Sequence, residues 1–397
     1  MKVTLTQHPV GQGGLMSGIL TSDASSFHWV YDCGSNQTSA LKREIDCIKT
    51  RGHVDFLFLS HLDSDHVNGI DHLLCATSVK EVVLPYLGNI DRIIAAAHDD
   101  ATGALTGTFL TFLTDIEGWF AARGVERISY IMPNSDDGEG GAGDGPILPG
   151  EDDKGGHKVE IIAQWLDKLT SINSSLIGQS VGQKGSGASL QILGLNWLFA
   201  PYAHCPSSKI LELFQAELQS YFHGRHNDPN FLIDVLRNKE KREKLRACYD
   251  LIWSDHNLVS MSLYAGPIHS GKWQSCCQRL PHGLQYHPYH KRGVGWLGTG
   301  DMHLNIRRRR QAFLKYYKKL LQQVNVFVLP HHGACQNFAS SLLSPLPRYA
   351  QCVAASGRNS YGHPHHSVIH AVQADQKIFV HVSEKILSAL AWHHSAL

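Results

Sequence analysis

The stretch LFLSHLDSDHVNG, residues 57–69, places two histidines and two aspartates within six positions directly after an apolar run. A strand that ends this way either opens into a solvated surface loop or delivers its polar groups to a metal at the end of a sheet. Alternate residues of an extended turn point the same way, so His61, Asp63 and Asp65 converge, and His66 swings in as the next helix begins. Four donors in so short a span can serve two adjacent cations. The plainer alternative is a polar loop that also caps a helix, since Asp and Ser are good N-cap residues.

Three further strand-like runs end in polar groups. WLGTGDM ends in Asp301, VFVLPHHG in His331 and His332, and CVAASGRNSYGHPHH in His363 and His365. Open α/β sheets place ligands at the carboxyl ends of their strands, and the flanking glycines let the backbone approach a ligand closely. A core histidine satisfied by a hydrogen bond explains any one of these. Four such ends in one chain with 26 histidines are a pattern, because neutral imidazole is the commonest metal ligand.

Composition narrows the class. The 397 residues carry a net charge of +1, so no global field draws the chain to nucleic acid or membrane. Nine cysteines with no CxxC pair, and an N-terminus (MKVTLTQHPVGQGG) with no apolar signal core, point to a reducing cytoplasm. No apolar run reaches the ~18 residues of a membrane span. The expectation is a cytoplasmic protein.

Along the chain, VTLTQHPV, LMSGILTS, FHWVYDCG and HVDFLFLS read as strands, with a short helix over about 38–50. Residues 68–80 read as a helix and VKEVVLPY as a strand, an α/β layer pattern. The spacing predicts helices through FLTDIEGWFAARG, IIAQWLDKLTSI, KILELFQAELQSYF and FLIDVLRNKEKREKLRACYDLIW. SLQILGLNWLFAP, DHNLVSMSLYAG, GVGWLGTGD and VNVFVLP read as strands, IRRRRQAFLKYYKKLLQQ as a basic helix, and 350–382 as strand, loop, helix and strand. Segment 269–292, rich in Cys, His and Gln, has no assignable pattern. Four regions follow: 1–133, a Gly/Asp-rich flexible loop 134–158, an inserted region 159–250, and 251–397.

In order along most of the chain, the motifs resemble the metallo-β-lactamase fold, and within it the C-terminal hydrolase domain of the competence protein ComEC. HPVGQGG and WVYDCGS look like the family's opening hairpins, SHLDSDHVNG like its THxHxDHxGG, and NLVSMSL like its NxxSxxL strand. GTGD looks like its LTGD, LPHHGA like HHGS, and SGRNSYGHPHHSV like SxGxxNxYGHPxxxV. The resemblance implies an α/β chain folded as a four-layer αβ/βα sandwich with helical insertions, 1–133 and 251–397 being its two halves. It implies two divalent cations, zinc or manganese with magnesium a further candidate. His61 and Asp63 would hold the first, Asp65, His66 and His363 the second, and Asp301 both. His256, four residues before Ser260, stands where many members have another first-site histidine, although Asn257 is adjacent. His331 or His332 occupies the place of a proton-donating histidine in related phosphodiesterases, or one of the pair is itself a ligand. Asp65, His331 and His332 are thus the catalytic candidates. Asp63 replaces the usual second histidine, and oxygen ligands shift preference toward manganese or magnesium.

The function this implies is metal-dependent hydrolysis, foremost a phosphodiesterase or nuclease in which two metals share a hydroxide and a histidine protonates the leaving oxygen. Nucleic acid or a nucleotide is the expected substrate, with Arg307, Arg308, Arg309 and Arg310 tracking phosphates and Tyr316 and Tyr317 available for packing or stacking. The run is otherwise a solvated helix face; KEKREKLR (239–246) reads as a surface helix. Two alternatives stand beside this reading: hydrolysis of a small ester, lactone or β-lactam, and a non-catalytic metal-binding subunit of a complex. The added helices suggest a protein partner, as for the effector of a multi-gene bacterial system, and no membrane.

Overall fold

Two packed sheets define the architecture seen in the computed structural model. It describes the chain outside residues 24, 87–91, 94–106, 134–144, 151–160, 168–172, 177–178, 204–207, 226–227, 229, 232–233, 236–237, 251–259, 280–283 and 292. Strands are numbered in chain order. The first sheet holds β1 (Lys2–Gln7), β2 (Gly13–Thr21), β3 (Ser26–Ser35), β4 (Val54–Phe58), β5 (Val79–Pro85) and β6 (Arg127–Ile131). It also holds β8 (Asn173–Leu176), β9 (Gln179–Lys184), β13 (Trp273–Arg279), β14 (Leu284–Lys291) and β19 (Leu390–Ala396). Their spatial order is β14-β13-β19-β1-β2-β3-β4-β5-β6-β9-β8.

The second sheet holds β7 (Ala163–Leu166), β10 (Ser189–Ile192), β11 (Trp197–Ala203), β12 (Met261–Gly266), β15 (Gly295–Gly298), β16 (Val324–Val328), β17 (Gln351–Ala355) and β18 (Ile378–Val382). Its order is β18-β17-β16-β15-β12-β11-β10-β7. Within the two sheets β3, β4, β5 and β6 run parallel, as do β15, β16, β17 and β18.

Side-chain alternation explains the layering. At the end of β4 and the residue after it, Leu57 and Leu59 join one apolar cluster while Phe56 and Phe58 join another, the period of two that a strand buried on both faces requires. The inter-sheet cluster is rich in aromatics contributed by both sheets. Trp29 of β3 meets Phe199 of β11 edge-on at 5.0 Å, Phe58 stacks on Phe199 at 5.6 Å, and Tyr31 meets Trp296 at 5.1 Å. Each such pair adds about 0.5–1.5 kcal/mol beyond its buried area.

Helices α1 (Thr38–Lys49), α3 (Ile70–Ala76), α4 (Gly107–Thr114), α5 (Ile116–Ala121), α6 (Ser208–Phe222) and α7 (Lys239–Asp250) contribute to the cluster outside the first sheet. The short α2 (Ser64–Val67) lies against β2 and β3. Helices α8 (Arg307–Tyr316) and α9 (His366–Ala374) contribute to the cluster outside the second sheet. The molecule is therefore the four-layer αβ/βα sandwich. No helix among the described residues is long and apolar enough to cross a membrane.

Several expectations change. IIAQWLDKLTSI is not a helix where described: β7 covers Ala163–Leu166 and pairs antiparallel with β10. Ile161, Ala163 and Trp165 pack on the inter-sheet core and Trp165 Nε1 donates to Glu81 Oε1 at 3.0 Å, so a two-residue period overrides local helical spacing. The helix expected over 68–80 is shorter, because β5 begins at Val79. Segment 269–292 supplies the β13–β14 hairpin, joined to the first sheet through β19, which in turn pairs with β1. Of the loop 134–158, only 145–150 is described. Region 159–250, expected as an insertion, supplies strands to both sheets.

The first sheet also buries a histidine that makes stability depend on pH. Burial, and then the charge of Arg51, pushes His28 down to about 4 from an ordinary 6.5. The unfolded chain therefore takes up the proton first as pH falls, and stability present above pH 6.5 erodes down through pH 4. The loss by pH 5 amounts to about 2 kcal/mol. Calorimetry of the metal-free protein should show a lower melting temperature at pH 5 than at pH 7, and His28→Gln should flatten that slope. An unchanged slope in the variant rejects the assignment.

Candidate metal centre

The candidate donors emerge from strand ends of both sheets and meet where the sheets are tied together. Met261 N donates to the Ser60 carbonyl and the Tyr31 hydroxyl to the Met261 carbonyl, both at 2.7 Å. After β4 the chain presents His61, Asp63, Asp65 and His66. The segment after β15 presents Asp301, and that after β16 presents His331 and His332. Asp63 is the residue before α2 but makes no side-chain capping bond there. Glycine is required beneath this loop: a Cβ on Gly34 would stand 2.4 Å from the His66 carbonyl carbon.

Asp301 is the pivot. Its Oδ2 lies 3.7 Å from His61 Nε2 and 3.5 Å from His331 Nε2. Its Oδ1 lies 3.4 Å from His66 Nε2 and 3.9 Å from His332 Nε2. On the first side Asp63 Oδ2 is 3.5 Å from His61 Nε2. On the second, Asp65 stands 4.0 Å from His66 Nε2 through Oδ1 and 3.6 Å from His332 Nε2 through Oδ2. These separations exceed ordinary N–H···O hydrogen bonds. Donors bound tetrahedrally to one cation at ~2.0–2.1 Å stand about 3.3–3.4 Å apart, close to the separations of these individual pairs. The donors that lie within 4.8 Å of one another as sets are His61, His66 and Asp301, and Asp65, His66 and His332. The Nε2 atoms of His61, His66 and His332 are buried without a hydrogen-bond partner, a cost that a ligated cation removes. The donor set fits divalent metal.

The other ring nitrogens are anchored, which fixes the orientation of every imidazole. His61 Nδ1 meets Ser60 Oγ at 2.7 Å, His66 Nδ1 meets Asp32 Oδ2 at 2.9 Å, His332 Nδ1 meets the Ala355 carbonyl at 2.8 Å and His331 Nδ1 meets Asn337 Oδ1 at 3.1 Å. Asp32 also accepts from Ser60 N at 2.7 Å and Ser60 Oγ at 2.8 Å. Of the five non-glycine residues with positive φ among those described, Asp32, His331 and His332 belong to this site. Each left-handed residue of this kind costs about 1–3 kcal/mol and persists only where its surroundings over-determine it.

Without cations the cluster is electrostatically coupled. Burial pushes the Asp65 and Asp301 carboxyls up, but the surrounding imidazoles outweigh it and hold both below the usual range, Asp301 well below. Burial likewise disfavours charge on His61 and His66, and the facing carboxylates reverse this and raise both, His66 strongly. A divalent cation must therefore displace protons.

The remaining sequence candidates fall elsewhere. His363 joins neither group of donors; its ring lies 5.3 Å from that of His331 and 5.8 Å from that of Tyr361. Burial, then the His331 and His332 charges, push it down to about 4. Beside Asp65 and His66 stands His332, which follows the neighbouring strand. His365 precedes α9, where its ring accepts from Ser367 N. His256 and Asn257 lie outside the described residues. In the basic run Arg307 and Arg308 are exposed. Arg309 is buried, and Arg310 Nη1 donates to the carbonyls of Leu304 and Asn305 at 3.0 and 2.7 Å. Tyr316 and Tyr317 are core residues whose hydroxyls donate to the Pro201 and Ala200 carbonyls, so neither offers a stacking face. The anchors Asp32, Ser60 and Asn337 had no assigned role in the sequence. The one signal for Asp32 is a carboxylate inside the apolar strand WVYDCG.

No family profile matches the chain, and no curated protein matches it. Among solved structures it is similar to an archaeal metallo-beta-lactamase superfamily protein from Sulfolobus tokodaii, at 15% identity and a TM-score of 0.17. That match covers 30% of this chain and 43% of that protein's length.

Proposed function

We propose that this chain is a metal-dependent hydrolase of phosphodiesters, with nucleic acid as the substrate class. The observation that supports it most is the Asp301 carboxylate, whose two oxygens each face a separate set of imidazole nitrogens with a further aspartate nearby. Bound there, two divalent cations would supply a water that is nucleophilic near neutral pH and positive charge for the oxygens of the reacting group.

The chain's own residues do the rest. Asp63, Asp65 and Asp301, with Asp32 behind His66, balance the four charges of two cations, so an anionic phosphodiester would be favoured over a neutral lactam or ester by direct contact with the cations rather than by a net positive pocket. Ser60, Asp32, Asn337 and the Ala355 carbonyl hold the imidazoles rigid, so little reorganisation accompanies the reaction. Asp65 and His331 are the most open donors, with side chains 19% and 23% exposed. Substrate thus enters past them, on the side of His363 and Tyr361. His332, anchored at Nδ1 and facing two carboxylates through Nε2, serves as a ligand rather than an acid.

The test is hydrolysis of single- and double-stranded DNA, RNA and a chromogenic phosphodiester by chelated protein re-supplied with Mn²⁺ or Zn²⁺. Metal-dependent cleavage is expected. Turnover confined to a β-lactam or lactone, or none on any substrate, overturns the proposal. Arg307 and Arg308 are exposed at the start of α8. Replacing either by Ala should raise KM for a polynucleotide severalfold with kcat retained, and lower the salt dependence of binding by about one unit of slope. An unchanged slope in salt titrations removes them from the interface.

A further inference from the structure

We propose that His331 and His332 each ligate a different cation, so that two consecutive residues straddle the shared carboxylate and make the two sites near-equivalent. The inference rests on the metal-hydrolase reading and gives His331 a role different from proton donation. His331 Nε2 faces Asp301 Oδ2, the oxygen that also faces His61, whereas His332 Nε2 faces Asp301 Oδ1, which also faces His66. Each side then offers two imidazoles, one aspartate of its own and one oxygen of Asp301. The donors already within 4.8 Å of one another are His61, His66 and Asp301, and Asp65, His66 and His332, so His331 and Asp63 close in on a cation.

The backbone is shaped for this. Both residues are left-handed, at φ 48°, ψ 54° and φ 58°, ψ 18°, a conformation uncommon for any non-glycine residue, though histidine, asparagine and aspartate visit it more often than others. Extended chain would send successive side chains to opposite faces of a strand. Two left-handed residues instead curl the chain, so that adjacent rings bracket one carboxylate, their centroids 5.7 Å apart. His331 is fastened to the Asp301 segment at two points, one through its backbone and one through its ring. Its N–H donates to the Gly300 carbonyl at 3.1 Å. Asn337, whose Oδ1 meets His331 Nδ1, donates from Nδ2 to the Asp301 carbonyl at 3.0 Å. A histidine meant to follow a substrate's leaving group would not be locked so fully to the ligand beside it.

Glycine and asparagine tolerate the left-handed region, so His331→Gly removes the imidazole while leaving the loop its conformation. The full chain, stripped with chelator and titrated with Mn²⁺ alone, is read by bound metal per chain and by the rise in melting temperature on loading. Wild type should hold two ions, His331→Gly one, His332→Gly one, and the double variant none, each single variant losing part of the metal-dependent rise. His331→Asn gives the same count if glycine loosens the loop, and a metal-free melt equal to wild type separates a lost ion from a lost fold. Two ions held by His331→Gly with wild-type affinity overturn this inference alone. No Mn²⁺ on the wild type overturns the metal reading beneath it as well.

Discussion

Asp301→Ala will lose hydrolysis by on the order of 10⁴-fold, equivalent to about 5.5 kcal/mol of transition-state stabilisation. The size of the effect follows from the position of this carboxylate, because its removal takes one oxygen from each side of the centre. His61, His66, His331 and His332 would then face a space with only Asp63 and Asp65 to balance a cation's charge. The binding consequence can be separated from the kinetic one. A ligand that binds only the folded state stabilises it by about 2.7 kcal/mol at a hundredfold excess over its Kd, so adding a chelator should lower the melting temperature of the wild type. The same addition should leave Asp301→Ala unmoved. Asp301→Asn, which keeps shape and loses charge, should behave like the alanine variant. A variant that loses turnover but keeps the chelator response would remove Asp301 from the cation pair.

The sequence made the sandwich and most of the donors legible because both leave local traces. Strand ends that break into His and Asp stand out against apolar runs, and the order of those breaks follows β4, β15, β16 and β17. What it left hidden depends on contacts remote in sequence. Trp165 reaches Glu81 across 84 residues, which no spacing within IIAQWLDKLTSI announces. β13 and β14 lack apolar alternation and are specified by the edge that β19 offers. The choice between His332 and His363 turns on a left-handed kink after β16, and no pattern of residue types encodes a φ of 58° at a histidine. The basic run illustrates the opposite error. Its charge is plain in sequence, yet Arg309 is spent inside the fold and both tyrosines are core.

Asp32 is the anchor whose loss should reach furthest without altering the shape of the site. It is buried and accepts from Ser60 N, from Ser60 Oγ and from His66 Nδ1. A carboxylate can only accept, so His66 keeps a proton on Nδ1, and the Nε2 proton that Asp301 and Asp65 hold in the cation-free site is the one a metal displaces. Asparagine tolerates the left-handed backbone at this position, where φ is 56°, and its Oδ1 can keep the bond from Ser60 N. Its amide group, however, donates toward His66 Nδ1 and drives the proton to Nε2, the atom that must be free to bind a cation. Asp32→Asn should therefore weaken uptake of the cation on the His66 side by about 10–100-fold, with kcat falling in step and circular dichroism unchanged. Because the defect is a misplaced proton, raised metal concentration should restore activity in Asp32→Asn and fail to do so in Asp301→Ala. Wild-type metal affinity in Asp32→Asn would mean that His66 is held in its tautomer by something other than this carboxylate.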